Sequence, residues 1–212
     1  MQRFDFKKYH YHIDYILHYF NLQRGTSCAV LDRWLSVKAA SNYQLPDLLA
    51  QKRIVLEQEC DLWNEEELKM LFVSPLFSLI NIEVPHKIKL FFERSITTVI
   101  DNLPLKIVCD AFLATPIGIS TPDKPYFFLQ EFKKSKNSHD DAEGQMLLAM
   151  LIAQNINADN KPIYGCYLQG RHWYFSTLQD KNYCISKAYD ATQTADLVQI
   201  IHILESLKHH LT

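Results

Sequence analysis

Glycine is scarce in this chain, five residues of 212, against a usual share of about 7%. The five are Gly25, Gly118, Gly144, Gly165 and Gly170, and no G-x-G-x-x-G, G-x-x-x-x-G-K-[ST] or G-x-S-x-G can be assembled from them. That disfavours dinucleotide binding by the usual loop, P-loop phosphate transfer and α/β-hydrolase chemistry. Cysteine is sparse too: Cys28, Cys60, Cys109, Cys166 and Cys184 are far apart and form no C-x-x-C. An odd, scattered set predicts reduced core thiols, not a zinc site or a disulfide framework. The longest apolar run, Met146 to Ala153, falls far short of the roughly 20 residues of a membrane span. The opening MQRFDFKKYHYH holds no apolar leader, so the expectation is no membrane and a cytoplasmic location. Neither charge is in excess: 22 Lys+Arg face 24 Asp+Glu, a net charge of −2. Any basic groove must therefore come from local arrangement, not from composition.

The remaining composition, 48% hydrophobic and 22% charged, is that of an ordinary globular chain, and the length suits one domain or one with an extension. Residues 1–60 read as helices. Ile13, Ile16, Leu17 and Phe20 recur at helical spacing, closed by Arg24-Gly25. Further helices are expected from about Leu31 to Ala40 and from Leu45 toward Cys60. Asn64 caps Glu65-Glu66-Glu67, and Leu68, Leu71, Phe72, Leu76 and Leu79 form an apolar stripe that Pro75 should kink or cut. Strand-rich runs follow at Ile88–Ile100, Leu105–Ala114 and Tyr126–Lys133, with Ala114–Pro125 as the loop of an antiparallel pair. Ser138-His139-Asp140-Asp141 resembles a capping box before the apolar helix AEGQMLLAMLIAQ. A hairpin turning at Gln169-Gly170 and a closing amphipathic helix through Leu197, Ile200, Ile201, Leu204, Leu207 and Leu211 complete the chain. The order is helices, then αβββαββ, then a helix.

The most informative segment is Phe127-Phe128-Leu129-Gln130-Glu131-Phe132-Lys133. Strand alternation sets Glu131 and Lys133 on one face. The preceding apolar strand carries Asp110, a residue depleted in strands. Two carboxylates on neighbouring strands can hold a hard divalent cation, and a lysine beside them can orient water and offset charge on a phosphate.

Asp110 followed by Glu131-x-Lys133 resembles the D…ExK signature of the PD-(D/E)XK nuclease superfamily, and the αβββα order with a following hairpin is similar to its core. The likeness covers residues 61–212 and is closest to the restriction-endonuclease-like branch, resembling N-terminal nuclease domains of type I restriction R subunits. It implies a Mg²⁺-dependent (or Mn²⁺-dependent) endonuclease acting on DNA. Asp110, Glu131 and Glu65 or Glu67 would be metal ligands, with Glu66 pointing away, and Lys133 and Gln145 would be catalytic. The chain departs from the family pattern at Cys109, where proline or glycine is common, and at Ala149, where a tyrosine often follows the glutamine. The implied fold class is α/β (α+β), a restriction-endonuclease-like core with a mixed central sheet flanked by helices. Residues 1–60 would form an N-terminal helical extension packed on it. DNA, a second copy of the chain, or a restriction or repair subunit are the expected partners.

Two readings stay open. An isolated Glu-x-Lys in a strand is ordinarily a solvated ion pair worth under about 1 kcal/mol, and the fold can serve as a catalytically silent binding module. His10-Tyr11-His12 and His209-His210 are expected to be surface histidines, because neighbours on a helix diverge. Trp173 and Tyr174 are expected in the hairpin core, the aromatic N-terminal segment is expected to pack its rings, and Lys133-Lys134-Ser135-Lys136 reads equally as a basic rim of the site for a DNA backbone or as an ordinary solvated loop.

Overall fold

The computed structural model describes residues 11–39, 43–118, 120–133 and 141–211, and for 129–133 the backbone alone. Among the described residues eight strands form one sheet whose two faces both carry helices. The chain opens with α1 (Ile13–Tyr19), β1 (Gln23–Gly25), α2 (Ala29–Leu35) and α3 (Asp47–Glu59). A helical run follows as α4 (Glu65–Leu68), a π turn (Lys69–Val73) and α5 (Ser74–Leu79). Strands β2 (Lys89–Ile100), β3 (Leu103–Ile117) and β4 (Thr121–Lys133) come next, then α6 (Ala142–Asn157). The chain ends with β5 (Ile163–Gln169), β6 (His172–Gln179), β7 (Asn182–Ile185), β8 (Tyr189–Asp190) and α7 (Thr194–Leu211).

The sheet order is β1-β7-β6-β5-β4-β3-β2, with β8 beside β6. The pairs β4–β5 and β1–β7 are parallel and the others antiparallel. Helix α6 is the crossover that the parallel β4–β5 step requires. It is apolar all round because it lies between the sheet and α1: Met146 through Ala153 are buried there with Phe112, Phe128 and Ile163. The closeness of that packing explains Gly165, where a Cβ would stand 2.8 Å from the sulfurs of both Met146 and Met150. The opposite face is covered by α2, α3, α5 and α7, with Trp34, Phe72, Leu76, Ile200 and Leu204 against Leu113, Phe127, Trp173 and Phe175. A mixed sheet flanked by helices is therefore present, and Trp173 is in the core as expected. No helix among the described residues is long and apolar enough to cross a membrane.

Several local expectations are corrected. Arg24-Gly25 does not close a helix; α1 stops at Tyr19, and Gln23–Gly25 pairs in parallel with Asn182–Cys184. The segment Ala114–Pro125 is not a long loop. Strands β3 and β4 run on to Ile117 and from Thr121, turning at Gly118 (φ 64°). Pro116, Pro122 and Pro125 are accommodated because the register shifts beside them. The cap of α6 is Asp141, whose carboxylate accepts from the Gly144 N–H; Ser138, His139 and Asp140 lie outside the described residues. The apolar stripe around Pro75 is re-phased. Leu68, Phe72, Val73, Leu76 and Phe77 are buried, whereas Leu71 and Leu79 are exposed. Pro75 has no N–H to give to the carbonyl four residues back, and its ring crowds that carbonyl; the helix widens into the π turn just before it.

Candidate functional site

The site is built around an interruption in the β2–β3 hairpin. A two-residue turn closes this hairpin, with Asp101 and Asn102 both at positive φ (50° and 62°), the conformation favoured by the twist of paired strands. The register runs without shift but skips one rung: Phe92 pairs with Ala111 and Arg94 with Cys109, leaving Glu93 opposite Asp110 with no ladder pair. Glu93 has φ 49°, which is uncommon for a residue with a side chain. The kink changes the facing of both strands. Phe91 and Ile96 enter the same core although five apart, and so do Cys109 and Phe112, three apart. Regular alternation would put each pair on opposite faces.

The kink receives Lys69, the first residue of the π turn. Its Nζ lies 2.9 Å from Glu93 Oε1, 3.3 Å from Glu66 Oε1 and 3.9 Å from Asp110 Oδ1. Lys69 and Asp110 are each only about a fifth exposed (21% and 22%), while Glu66 and Glu93 reach well into solvent. Burial pulls the Lys69 pKa down; the hydrogen bond to Glu93, the charge of Asp110 and the hydrogen bond to Glu66 outweigh it and hold the pKa above its ordinary value. The ammonium is thus firmly charged, and it serves as counter-ion to a half-buried aspartate on an apolar strand.

Strand β4, which bears Glu131-x-Lys133, is the antiparallel neighbour of β3. Extending the pairing Ala111 to Leu129 by one residue sets Asp110 level with Gln130. On its other side, Gln130 pairs with Tyr167 and Phe132 with Leu168, so Glu131 is the extra residue of a bulge between β4 and β5. Bulges re-aim side chains and are common beside active sites. The side chains of Glu131 and Lys133, and the whole of Lys134 and Lys136, lie outside the described residues.

The helical glutamates fall differently from expectation. Glu67 is committed to the N-terminus of α4: its carboxylate accepts from the Asn64 N–H at 2.7 Å, and Asn64 Oδ1 accepts from the Glu67 N–H at 2.9 Å, a reciprocal capping box. Glu65 is exposed in the same first turn. The glutamate that reaches the Asp110 group is Glu66, through Lys69. Gln145 is half-buried near the start of α6, where its N–H donates to the Asp141 carbonyl. That helix covers the sheet face opposite to Lys69. Among the described residues, Asp110 is brought together with Lys69, Glu66 and Glu93, and not with Glu65, Glu67 or Gln145. Lys69 and Glu93 were missed in the sequence. For Glu93 the only sequence signal is an acid interrupting the apolar run Leu90-Phe91-Phe92, and for Lys69 there is none.

A second polar group sits at the start of α6. Arg24 Nε and Nη2 grip the Glu143 carboxylate at 2.9 and 3.1 Å, and the buried Tyr183 hydroxyl donates to it at 3.1 Å. Burial, then the charge of Glu143, keeps Tyr183 and the nearby Tyr167 protonated well above the usual phenol range. This group ties β1, α6 and β7 together. Asp141 adds a further tie, accepting from the Ile13 N–H at 2.7 Å.

No protein-family model matches the chain, and no curated protein matches it.

Proposed function

We propose that this chain is a metal-dependent nuclease that hydrolyses phosphodiester bonds of DNA, working in the cytosol on its own or beside a restriction or repair subunit. The observation that carries the reading is the half-buried Asp110 at a kink in an apolar strand, next to the antiparallel strand that bears Glu131-x-Lys133. The element order also supports it: helix, three antiparallel strands, helix, then a parallel strand. Among the described residues no group of three or more His, Cys, Asp and Glu is placed to hold a metal. The donor set proposed here is Asp110 with Glu131, and Glu66 takes the part expected of Glu65. When bound there, Mg²⁺ or Mn²⁺ would supply polarisation of a phosphoryl oxygen. Lys69 holds Asp110 in place by its charge, Lys133 offsets charge on the scissile phosphate, and Lys134 and Lys136 meet the backbone.

One observation favours the silent binding module instead. Lys69 already neutralises Asp110, as a purely structural ion-pair network would. Cleavage of supercoiled plasmid with millimolar Mg²⁺ or Mn²⁺ separates the readings. The nuclease cuts, and both Asp110→Asn and Glu131→Ala abolish cutting. A folded wild-type protein that binds DNA and leaves it intact with either metal is the module.

A further inference from the structure

Two of the five cysteines meet where β1 joins the sheet. Cys184 on β7 is the register partner of Gly25 on β1 and of Thr177 on β6. From Gly25 the chain passes through Ser27 into α2, and Cys28 is the residue at its cap. The Cys28 sulfur lies 3.5 Å from Thr177 Oγ1, and the Cys184 sulfur lies 3.6 Å from the Ser27 carbonyl. Thr177 and Cys184 are register partners and share a face, so the two sulfurs gather around the Thr177 side chain and the Ser27 carbonyl. At Gly25 a Cβ would stand 3.6 Å from the Cys184 sulfur, so the bare backbone there leaves the pair its room.

The two sulfurs are unequal. Cys28 is partly open to solvent and Cys184 is buried. Burial raises the Cys28 pKa, but the Cys184 thiol, the Leu31 N–H, the Thr177 hydroxyl and the Val30 N–H together bring it below the ordinary thiol value. Burial, then the hydrogen bond and charge of Cys28, then Asp32, push Cys184 the other way. A half-open thiol held below its ordinary pKa beside a buried one held above it is the arrangement of an attacking and a resolving thiol. The other cysteines lack it. Cys109 and Cys166 are fully buried, and Cys60 stands beside the Asp61 carboxylate with its pKa raised by burial and by that charge.

We propose that Cys28 and Cys184 form a reversible dithiol–disulfide site that hydroperoxides oxidise. The Cys28 thiolate attacks one peroxide oxygen and the O–O bond breaks. Sulfur is oxidised to a sulfenic acid, and the leaving hydroxide takes a proton to become water. The Cys184 sulfur then attacks the sulfenic sulfur; the S–S bond forms, the S–O bond breaks, and the second water carries away the Cys184 proton. The resulting bond joins the start of α2 to β7 across residues far apart in the chain, so the oxidised protein melts several degrees higher than the reduced one.

Hydrogen peroxide, added stepwise to the full chain, is the probe, read by intact mass and peptide mapping. The expected result is a loss of two hydrogen atoms, a Cys28–Cys184 linked peptide, and its disappearance with dithiothreitol. In Cys184→Ser, dimedone traps a sulfenic acid at Cys28 and no linked peptide forms; Cys28→Ser gives neither. In the reduced wild type, iodoacetamide labels Cys28 at least ~10-fold faster than Cys60. Should either variant fail to fold, the wild-type map decides alone. Peroxide-treated wild type with no Cys28–Cys184 link, or with Cys28 oxidised no faster than Cys60, overturns the proposal.

Discussion

Replacing Lys69 by methionine removes the ammonium and keeps a stem of similar length and helix propensity. Three carboxylates then lose their counter-ion: Glu93 at 2.9 Å, Glu66 at 3.3 Å and Asp110 at 3.9 Å. One charge pair at about 4 Å is worth about 4 kcal/mol at an effective dielectric constant of about 20, before desolvation is subtracted. Glu66 and Glu93 are mostly in water, so each of those pairs contributes about 0–1 kcal/mol. Asp110 is the half-buried partner, and its loss of a counter-ion dominates. The expected net cost is about 1–2 kcal/mol, a fall in Tm of about 3–6 °C for a chain of this size. The pH dependence has a definite sign. The folded pKa of Lys69 is raised, so its contribution is complete below the unfolded value of 10.5 and is lost as pH rises through the folded value. Thermal melts followed by circular dichroism from pH 7 upward read both effects, and the wild type should lose an alkaline increment that Lys69→Met lacks. Under the nuclease reading the variant also removes a positive charge 3.9 Å from a proposed ligand, so Mg²⁺ should raise its Tm more than it raises that of the wild type. An unchanged Tm with parallel alkaline limbs would show that Lys69 is an ordinary solvated lysine.

Three further outcomes follow from the packing. Gly165→Ala drives a methyl to 2.8 Å from two methionine sulfurs and 2.9 Å from Ser176 Oγ. It should cost about 1–3 kcal/mol in urea denaturation, and an unchanged midpoint would refute the close approach of α6. Tyr183→Phe removes one donor from Glu143 while Arg24 keeps its two-point grip, so the cost should be about 0.5–1.5 kcal/mol in the same assay. A larger loss would mean that the hydroxyl, not Arg24, holds Glu143. His210 is partly buried against Tyr164, and burial, then His209, then Arg33 push its pKa below the usual 6.5. The unfolded chain therefore binds that proton first. The contribution of His210 is intact above pH 6.5 and declines as pH falls toward the folded value, and His210→Gln should flatten that limb of a Tm–pH curve.

The parts of the fold legible in the sequence are those set by local pattern. The buried α6 follows from the run Met146 to Ala153, and α7 from a stripe in which Leu197, Ile200, Ile201, Leu204 and Leu207 are all buried. Strands β1, β7 and β8 were not legible, because two to four residues carry no period and exist only through partners far along the chain. The helical glutamates failed for a different reason. Both glutamates fall in the first turn of α4, where Glu67 is taken up by the capping box with Asn64 and Glu65 stays in solvent. The kink at Glu93 could not be read either, since positive φ at a glutamate has no sequence mark. For the candidate site, Asp110 and the neighbouring Glu131-x-Lys133 strand were legible as chemistry out of place in apolar strands. The lysine that answers Asp110 comes from a helix 41 positions earlier in the numbering, from Lys69 to Asp110, and only tertiary structure supplies it.

The central claim is tested most directly by the single-turnover cleavage rate of an end-labelled DNA duplex in Mg²⁺, at saturating protein, for wild type and Lys133→Ala side by side. Cleavage by the wild type, with a rate at least about 100-fold lower in the variant and near-equal duplex affinity, is the predicted result. Contradiction would come from a folded wild-type protein that leaves the duplex intact in both Mg²⁺ and Mn²⁺, or from Lys133→Ala cutting at the wild-type rate.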